Sequence, residues 1–299
     1  MNKSRLLRQM SNPDWRVREA AAGHPEATKQ VLLLALQDVE PAVRFAAAEN
    51  PNASKHVLLV AMENEYWDVR AAAAAHSNAT QSVLVKALLD EDWHVRAAAA
   101  ENPNANEMML LDALKDEDSR VRRAAAGNPN ATEQVLTVAA TDRNHWVRLV
   151  VAKHPNATEQ VLLVAMLDKE TSIREAAAEH PNATERVLIK TVKDKNLDVR
   201  HAAARSPNAS EQVLLKAIRD KEFIVRVAAA ANLNATEQVL LAVMQDEDSY
   251  VRLIGVQHPN ATEQVFRLAS IDEDESVRKA VAHNEKASII AKIVGALGV

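Results

Sequence analysis

Apolar and polar residues along this chain follow a block of twenty-six residues that repeats without insertion or deletion. The block begins at a Val-Arg pair, from Val17-Arg18 to Val277-Arg278, and only Ile173-Arg174 varies the pair. A fixed period of this length is typical of a solenoid, in which each unit buries its apolar face by stacking on the next unit. The pattern therefore predicts a repeat protein.

Each block predicts two short helices joined by a turn. In one block Val147, Val150 and Val151 have the i, i+3, i+4 spacing of a single helix face. Most blocks have alanines in this helix, which we call the Val-Arg helix, and alanine lets neighbouring backbones approach closely. An Asn-Pro or His-Pro step ends it, because proline cannot continue a helix. Thr158 is then a predicted N-cap for the apolar second helix that includes Leu162.

The composition fits a thin core of small aliphatic side chains. Hydrophobic residues make up 47% of the chain, whereas aromatic residues make up 3%. The chain has no cysteine, which excludes disulfides, thiolate metal sites and thiol nucleophiles. Its net charge of -5 gives no overall attraction to nucleic acid or to an anionic membrane. No apolar stretch has the length of a signal peptide or a membrane span, so we expect a cytoplasmic, non-catalytic protein without cofactor or metal.

The most constant polar residues are the arginine of each Val-Arg pair and an aspartate six residues before it. The aspartate is present in nine of ten registers, and Asn64 is the exception. An arginine fork can satisfy a carboxylate and free carbonyls together, which favours a structural ladder over a row of cations for phosphate. We expect pairs such as Asp38 with Arg44 and Asp116 with Arg122. The expected ladder residues are Arg44, Arg70, Arg96, Arg122, Arg148, Arg174, Arg200, Arg226 and Arg252, with Asp38, Asp90, Asp116, Asp142, Asp168, Asp194, Asp220 and Asp246.

The sequence from Val121 to Leu136, VRRAAAGNPNATEQVL, resembles the repeat of the bacterial leucine-rich repeat variant, whose units carry a similar Val-Arg, Asn-Pro and paired-Leu pattern. The Asp-to-Arg spacing also resembles that of HEAT and related α-solenoids. The resemblance implies an all-α fold, a right-handed α-solenoid of about eleven two-helix repeats, with the Val-Arg helices on the concave side. Two features depart from the variant: the period is slightly longer, and its cysteine-bound iron–sulfur cluster has no ligands here.

We expect one continuous solenoid domain. Residues 1–16 form an N-terminal partial repeat, residues 17–276 form ten complete repeats, and residues 277–299 form a C-terminal partial repeat. Its last helix is unusually apolar but too short to span a bilayer. Capping repeats normally present a polar face, so this end caps imperfectly, self-associates, or marks the boundary of a longer chain. The apolar residues of that helix are Ile289, Ile290, Ile293, Val294 and Leu297.

Aromatic residues cluster in the last three positions of the block, in the turn before the Val-Arg helix. Other blocks carry Ser119, Thr171 or Glu275 there, so the fold does not require an aromatic residue. Large amphipathic side chains along one solvent edge are typical of binding hot spots, and the alternative is a hydrophobic staple on the next helix turn. This aromatic edge consists of Trp15, Tyr66, Trp67, Trp93, Trp146, Phe223 and Tyr250.

The third and seventh positions of the block vary most within the Val-Arg helix. Being four residues apart, they share a face that the alanine contacts leave uncovered. On a concave helix they line a groove, and exposed apolar residues there favour a protein or peptide ligand. The third-position residues, here called the groove residues, are Phe45, Arg123, Leu149, His201, Val227 and Leu253.

A nucleic-acid partner is the alternative, because positive charge is concentrated in residues 143–226. This segment holds fifteen Lys and Arg against eleven Asp and Glu, a net charge of +4, which leaves -9 for the rest of the chain. Basic residues outside the ladder there fit contacts to phosphates. They are Lys190, Lys193, Lys195, Arg205, Lys216, Arg219 and Lys221.

Three further motifs have structural interpretations that we favour over functional ones. The histidines before proline, or at the equivalent position, alternate with asparagine, which predicts hydrogen bonds to the turn backbone and not a metal site. Asn-Ala-Thr steps such as Asn130-Ala131-Thr132 predict a turn and an N-cap, with glycosylation as the alternative. Paired acids such as Glu117 and Asp118 predict a solvated acidic edge. The histidines are His24, His76, His154, His180 and His258.

Overall fold

The computed structural model describes residues 3–283 and 287, and this part of the chain consists of helices and short turns with no strand. Val-Arg helices and second helices alternate throughout. The Val-Arg helices are α2 (Trp15–Ala22), α4 (Pro41–Glu49), α6 (Trp67–Ala75), α8 (Trp93–Glu101), α10 (Ser119–Gly127), α12 (His145–Ala152), α14 (Thr171–Glu179), α16 (Leu197–Arg205), α18 (Phe223–Ala230), α20 (Ser249–Gln257) and α22 (Glu275–His283). The second helices are α1 (Lys3–Gln9), α3 (Lys29–Ala35), α5 (Lys55–Ala61), α7 (Gln81–Leu88), α9 (Glu107–Ala113), α11 (Glu133–Ala139), α13 (Glu159–Ala165), α15 (Glu185–Thr191), α17 (Glu211–Ala217), α19 (Glu237–Val243) and α21 (Glu263–Ser270).

Small side chains form the core between neighbouring helices, as the composition predicts. In α10, Val121, Ala125 and Ala126 are fully buried, and in the following second helix Val135 and Leu136 are fully buried too. Alanine at the contact lets the backbones approach, so within each unit the Val-Arg helices pack more extensively on their counterparts in the next repeat than second helices do on theirs. The predicted all-α solenoid fold is confirmed.

The chain divides into two compact units, Met1–Asn156 and Ala157–Val299. Within each unit a helix packs on its partner in the same repeat and on the equivalent helix of the next repeat. Contacts confined to neighbouring repeats are the property that distinguishes a solenoid from a globular core.

One close approach shows how tightly successive helices pack. A Cβ atom added to Gly255 in α20 would lie 2.7 Å from Val243 Cγ1 in α19. At these two repeat positions most other blocks have alanine, as at Ala229 and Ala217. The larger Val243 is therefore accommodated because its neighbour is glycine, which conserves the local volume.

Within each unit, the turns that follow Val-Arg helices are bound to the same turn of the preceding repeat. Asn128 donates from Nδ2 to the carbonyls of Ala100 and Asn102, at 2.7 and 3.0 Å, and its Oδ1 accepts from the Asn130 N–H at 2.9 Å. Asn130 in turn donates to the Pro103 carbonyl. Both asparagines of the Asn-Pro-Asn step thus connect repeats, which supports the structural interpretation of the Asn-Ala-Thr motif.

Histidine makes equivalent bonds at the first of these asparagine positions. His76 Nδ1 accepts from the Asn78 N–H at 2.9 Å, so the ring proton is on Nε2, which donates to the Asn50 carbonyl at 2.9 Å. His154 and His258 bind the Asn128 and Asn232 carbonyls in the same way. These rings hold turns together, in agreement with their interchange with asparagine.

Side-chain caps begin both kinds of helix. Thr132 accepts from the Val135 N–H at the start of α11, as predicted for this position. The expectation of a solvated acidic edge is wrong for Asp118, which caps α10 by accepting from the Arg120 N–H at 2.8 Å. Glu117 beside it is exposed. The second acid of the pair therefore satisfies a backbone donor at a helix N-terminus.

No helix among residues 3–283 is long and apolar enough to cross a membrane. The predicted apolar final helix, with Ile289, Ile290, Ile293, Val294 and Leu297, lies outside the described residues.

Candidate functional site

The constant arginines and aspartates form a buried ladder that connects successive repeats. Arg122 donates from Nε and Nη2 to the two carboxylate oxygens of Asp142, at 2.7 and 3.0 Å. Its Nη1 donates to the carbonyls of Asp116 and Glu117, at 2.9 and 3.0 Å. One guanidinium thus satisfies a carboxylate in the next repeat and two carbonyls in its own turn. We call each such set a rung.

The partners within the ladder differ from the predicted pairs, and the predicted Asp38–Arg44 and Asp116–Arg122 pairs are wrong. Asp38 binds Arg18, twenty residues earlier, at 2.6 Å, and Arg122 reaches only the main-chain carbonyl of Asp116. The arginine spans the gap to the next repeat, so the six-residue spacing reflects the carbonyl bond. The other aspartate pairs are Arg70–Asp90, Arg96–Asp116, Arg174–Asp194, Arg200–Asp220, Arg226–Asp246 and Arg252–Asp272.

The remaining predicted ladder residues are Arg148, Asp168 and Arg44. Arg148 donates to the carbonyls of Asp142 and Arg143, at 2.7 and 3.4 Å, which is the same turn contact as in the other rungs. Asp168 lies in the turn before α14, where its Oδ1 accepts from the Glu170 N–H at 2.9 Å. Arg44 differs from both, because Asn64 replaces the aspartate of its rung.

Electrostatics in the ladder follow from these bonds. The Arg18 guanidinium, which donates to Asp38, holds the pKa of that carboxyl below its ordinary value, and Arg252 does the same for Asp272. A hydrogen bond from Arg120 lowers the pKa of the Asp118 cap to about 2. These carboxyl groups are ionised at neutral pH and are engaged in holding helix ends, as the structural interpretation requires.

Four aromatic or cationic side chains stack across three repeats at the centre of the aromatic edge. The Trp67 ring stacks on His94 with centroids 4.2 Å apart, and Trp93 lies 3.6 Å from the same imidazole. The Arg120 guanidinium covers the Trp93 ring at 3.5 Å. His94 also contacts Asp92 through Nδ1 at 2.8 Å. The structure thus brings Trp67 and Trp93 together through a histidine that the sequence pattern did not single out.

The other aromatic residues form separate local contacts and do not extend this stack into one row. Trp15 lies beside Arg16, and Tyr66 lies beside Arg44 at 4.5 Å from its Cζ. Trp146 contacts its neighbour His145, and in the second unit Phe223 contacts Tyr250 with centroids 6.1 Å apart. Trp146 and Tyr250 are both 55% exposed, so these contacts leave much of the ring accessible.

The groove residues are less exposed than the sequence predicts. Arg123 is exposed, whereas Phe45, Leu149, His201, Val227 and Leu253 are half-buried, so the expectation of exposed apolar residues there is wrong. Within each unit, the Val-Arg helices that carry these five half-buried residues pack on neighbouring Val-Arg helices. The seventh positions are exposed instead in every described repeat, and they are mostly polar or small, as at Glu49, Glu101, Lys153, Glu179 and Arg205.

The fold is shared with a solved structure. A leucine-rich repeat variant with a novel repetitive structural motif is 23% identical, with a TM-score of 0.55, and the match covers 74% of this chain and 87% of that one. This chain has the fold of the leucine-rich repeat variant. Kap95p, in a structure where its binding induces the switch loops of RanGDP to adopt the GTP-bound conformation, is 14% identical with a TM-score of 0.45, over 94% of this chain and 53% of its own. Yeast importin-β (Kap95p) is 14% identical with a TM-score of 0.42, over 100% and 58%.

The match to the leucine-rich repeat variant shows the fold alone, because identity is below a quarter of the aligned residues. The chain spans little more than half the length of the two Kap95p chains. No family model matches the sequence, and no curated protein matches it.

One apolar groove on this variant-repeat scaffold was not predicted. It lies between the second helices α7 and α9, has a volume of about 630 Å³, and is lined by Val85, Leu88, Leu89, Met108 and Met109 with polar residues at its rim. Met108 is 74% exposed and Leu89 82% exposed. The sequence contains a signal for this groove, because Met108 is apolar at a repeat position where other blocks have Gln, His, Ser or Arg.

The basic residues of the proposed nucleic-acid segment are exposed but partly neutralised. Lys190, Lys193, Lys195 and Arg219 are exposed on the second unit, together with the ion-paired residues Arg205 and Lys221, while Lys216 is half-buried. Arg205 lies 3.1 Å from Glu179, and Lys221 lies 3.7 Å from Glu222. Among the described residues no three His, Asp or Glu side chains are grouped as metal ligands.

Proposed function

We propose that this protein is a non-catalytic scaffold that binds a protein or peptide through its Val-Arg helices and the adjoining aromatic edge. The observation that carries the proposal is the exposure of the edge: Trp67 is 44% exposed, Phe223 42%, and Trp146 and Tyr250 55% each. Partly exposed tryptophan and tyrosine are enriched in binding hot spots because they present a large, rigid surface with a polar group.

Packing supports the Val-Arg side as the binding face. Within each unit the Val-Arg helices contact one another more extensively than the second helices do, and this difference favours curvature toward the Val-Arg side. The exposed seventh positions and half-buried third positions then line the inner face of each unit. A concave face gives a peptide more contact area than a flat one.

The roles of the constant polar residues support a binding function over a catalytic one. The aspartates of the ladder are occupied by arginines, and His76, His154 and His258 are occupied by turn backbone. A general base or nucleophile needs a titratable group within reach of a substrate, and these groups are engaged in structural bonds instead.

The test is affinity capture from an extract of the source cells with three forms of the protein. Trp67→Ser combined with Trp93→Ser removes two edge rings, and the scaffold already carries serine at this repeat position, as at Ser119 and Ser249. Leu34→Lys removes an exposed apolar residue from a second helix, at a position where Lys86 stands in another block. We expect one or more proteins that wild type and Leu34→Lys retain and the double variant loses.

The double variant should remain folded, with a stability loss of about 0.5–1.5 kcal/mol for each ring contact removed. Equal retention by all three forms would overturn the proposed surface. Nucleic acid is the alternative partner. Its affinity would fall by roughly 10³- to 10⁵-fold between 50 and 200 mM salt if about six to ten phosphates were contacted, whereas the affinity of a protein held by aromatic residues would change little. Loss of every retained partner over that salt range would therefore favour the basic segment.

A further inference from the structure

We propose that Arg44, which lacks the carboxylate that an aspartate of the chain supplies in neighbouring rungs, binds a carboxylate from an acidic peptide segment of the partner through its Nη1 group. This inference rests on the proposed function and specifies the chemistry of the partner. The starting observation is one repeat, residues 43–68. Asn64 and Tyr66 stand there at the positions that Asp90 and Asp92 have in the next repeat.

The rung of Arg44 lacks the bonds that its neighbour makes. Arg70 donates from Nε and Nη2 to Asp90, at 2.7 and 2.8 Å, and from Nη1 to the Asn64 and Glu65 carbonyls. Arg44 donates only from Nη1, to Glu65 Oε1 at 2.9 Å, and its Nε is buried without a hydrogen-bond partner. A guanidinium has five N–H donors, and the chain provides Arg44 with one side-chain acceptor, whereas it provides Arg70 with a carboxylate and two carbonyls.

The missing acceptor explains the difference. Asn64 occupies the position of the ladder aspartate, and its Oδ1 accepts from the Tyr66 N–H at 3.1 Å, which is the turn bond that the aspartate makes elsewhere. Its other polar atom is an N–H₂ group, which cannot accept from arginine. A buried donor without an acceptor costs free energy, so asparagine in place of aspartate at position 64 does not stabilise the fold.

Accessibility allows a partner to supply the acceptor. The Glu65 side chain is 70% exposed, and exposed ion pairs contribute little, so an incoming carboxylate can displace it. The Tyr66 ring, 39% exposed, lies 4.5 Å from Arg44 Cζ and covers one side of the guanidinium. Trp67 beside it is 44% exposed. The guanidinium thus lies against one partly exposed ring, and a second exposed ring follows in sequence, which suits an acidic residue next to apolar ones.

The surroundings favour a carboxylate over a phosphate group. Asp38 interacts electrostatically with Arg44, and Glu65 is bound to it, so a dianion would meet stronger repulsion than a single negative charge. A carboxylate is also the group that the equivalent arginines hold in eight other rungs.

The experiment follows the arginine side-chain N–H signals by NMR in protein labelled with ¹⁵N-arginine. The Arg44 signal is assigned by its loss in Arg44→Lys. The probe is the peptide acetyl-Gly-Phe-Asp-Phe-Gly-amide, and its control is the same peptide with Asn in place of Asp. We expect the Asp peptide to shift the Arg44 signal and the Asn peptide to bind about tenfold more weakly, which corresponds to about 1.4 kcal/mol.

The decisive variant is Asn64→Asp, which supplies the missing carboxylate from within the chain. It should raise the unfolding midpoint and abolish the response of Arg44 to the Asp peptide. Asn12→Asp is the matched control: Asn12 has the same repeat position and the same turn bond, to the Asp14 N–H, but lies two repeats before Asn64. This control should leave the response unchanged.

Two results would overturn the inference: no shift of the Arg44 signal with the Asp peptide, or an equal shift in wild type and Asn64→Asp. Either result would leave the proposed function standing if the double tryptophan variant still lost its captured partner. If instead all three forms retained the same proteins while the Asp peptide still shifted the Arg44 signal, the proposed function would fail and the carboxylate site at Arg44 would stand.

Discussion

At the scale of residues, the arginine of each rung has one dominant duty, which is to join two repeats. Its identity as a scaffold residue follows from the sequence, because it is constant while its neighbours vary. The sequence does not reveal its carboxylate partner. Asp116, six residues from Arg122, accepts from the arginine only through its main-chain carbonyl, while Asp142, twenty residues away, supplies the carboxylate. Sequence separation cannot distinguish a bond within a turn from one between stacked turns.

Titration of the ladder predicts how stability depends on pH. The pKa values of Asp38 and Asp272 lie below the ordinary 3.8, because arginine hydrogen bonds favour the charged form. A carboxyl with a depressed folded-state pKa stabilises the fold fully above its unfolded pKa, and this stability is lost as pH falls through the folded pKa. In urea unfolding, the ladder carboxylates should therefore cause little loss of unfolding free energy above about pH 5 and a steady loss below about pH 4.

The control for this titration is Asp38→Asn, which removes one titrating group and should reduce the slope of stability against pH below about pH 4. A free energy of unfolding that rises in acid, or a slope that Asp38→Asn leaves unaltered, would contradict the ladder as the source.

At the scale of elements, helix boundaries were predictable because they depend on local chemistry. Proline after Asn128 ends α10, and Thr132 caps α11, as the sequence indicates. The role of Asp118 as a cap was not predicted, because an acid in an Asp-rich turn has the same sequence signature whether it binds water or a backbone N–H. The half-burial of Phe45 was missed for a different reason, since it depends on the distance between adjacent helices.

The turn predicts that histidine and asparagine are interchangeable at position 76. His76→Asn should leave the unfolding midpoint nearly unchanged, because Asn102 and Asn128 make the equivalent bonds to the preceding turn. His76→Ala should lower stability by about 1–3 kcal/mol, since the Asn50 carbonyl and the Asn78 N–H lose their partner. Thermal and urea unfolding of both variants test this, and an alanine variant as stable as the asparagine variant would refute it.

At the scale of the whole molecule, the repeat period predicts the fold but does not predict the binding surface. The repeat predicts what every block shares, and the match to the leucine-rich repeat variant confirms that fold. The proposed binding surface depends on residues that blocks do not share, such as the tryptophans at the start of α6 and α8. The apolar groove between α7 and α9 is a second feature that blocks do not share. The groove arises from exposure of Met108 and Leu89, which a single block of sequence does not reveal.

Hydrogen exchange of the protein with and without its captured partner tests most directly which surface binds. Binding through the Val-Arg side predicts slower exchange in α4, α6 and α8 and in the turns before them, with α5, α7 and α9 unchanged. Slower exchange confined to α7 and α9 would contradict this assignment and place the partner in the groove between the second helices.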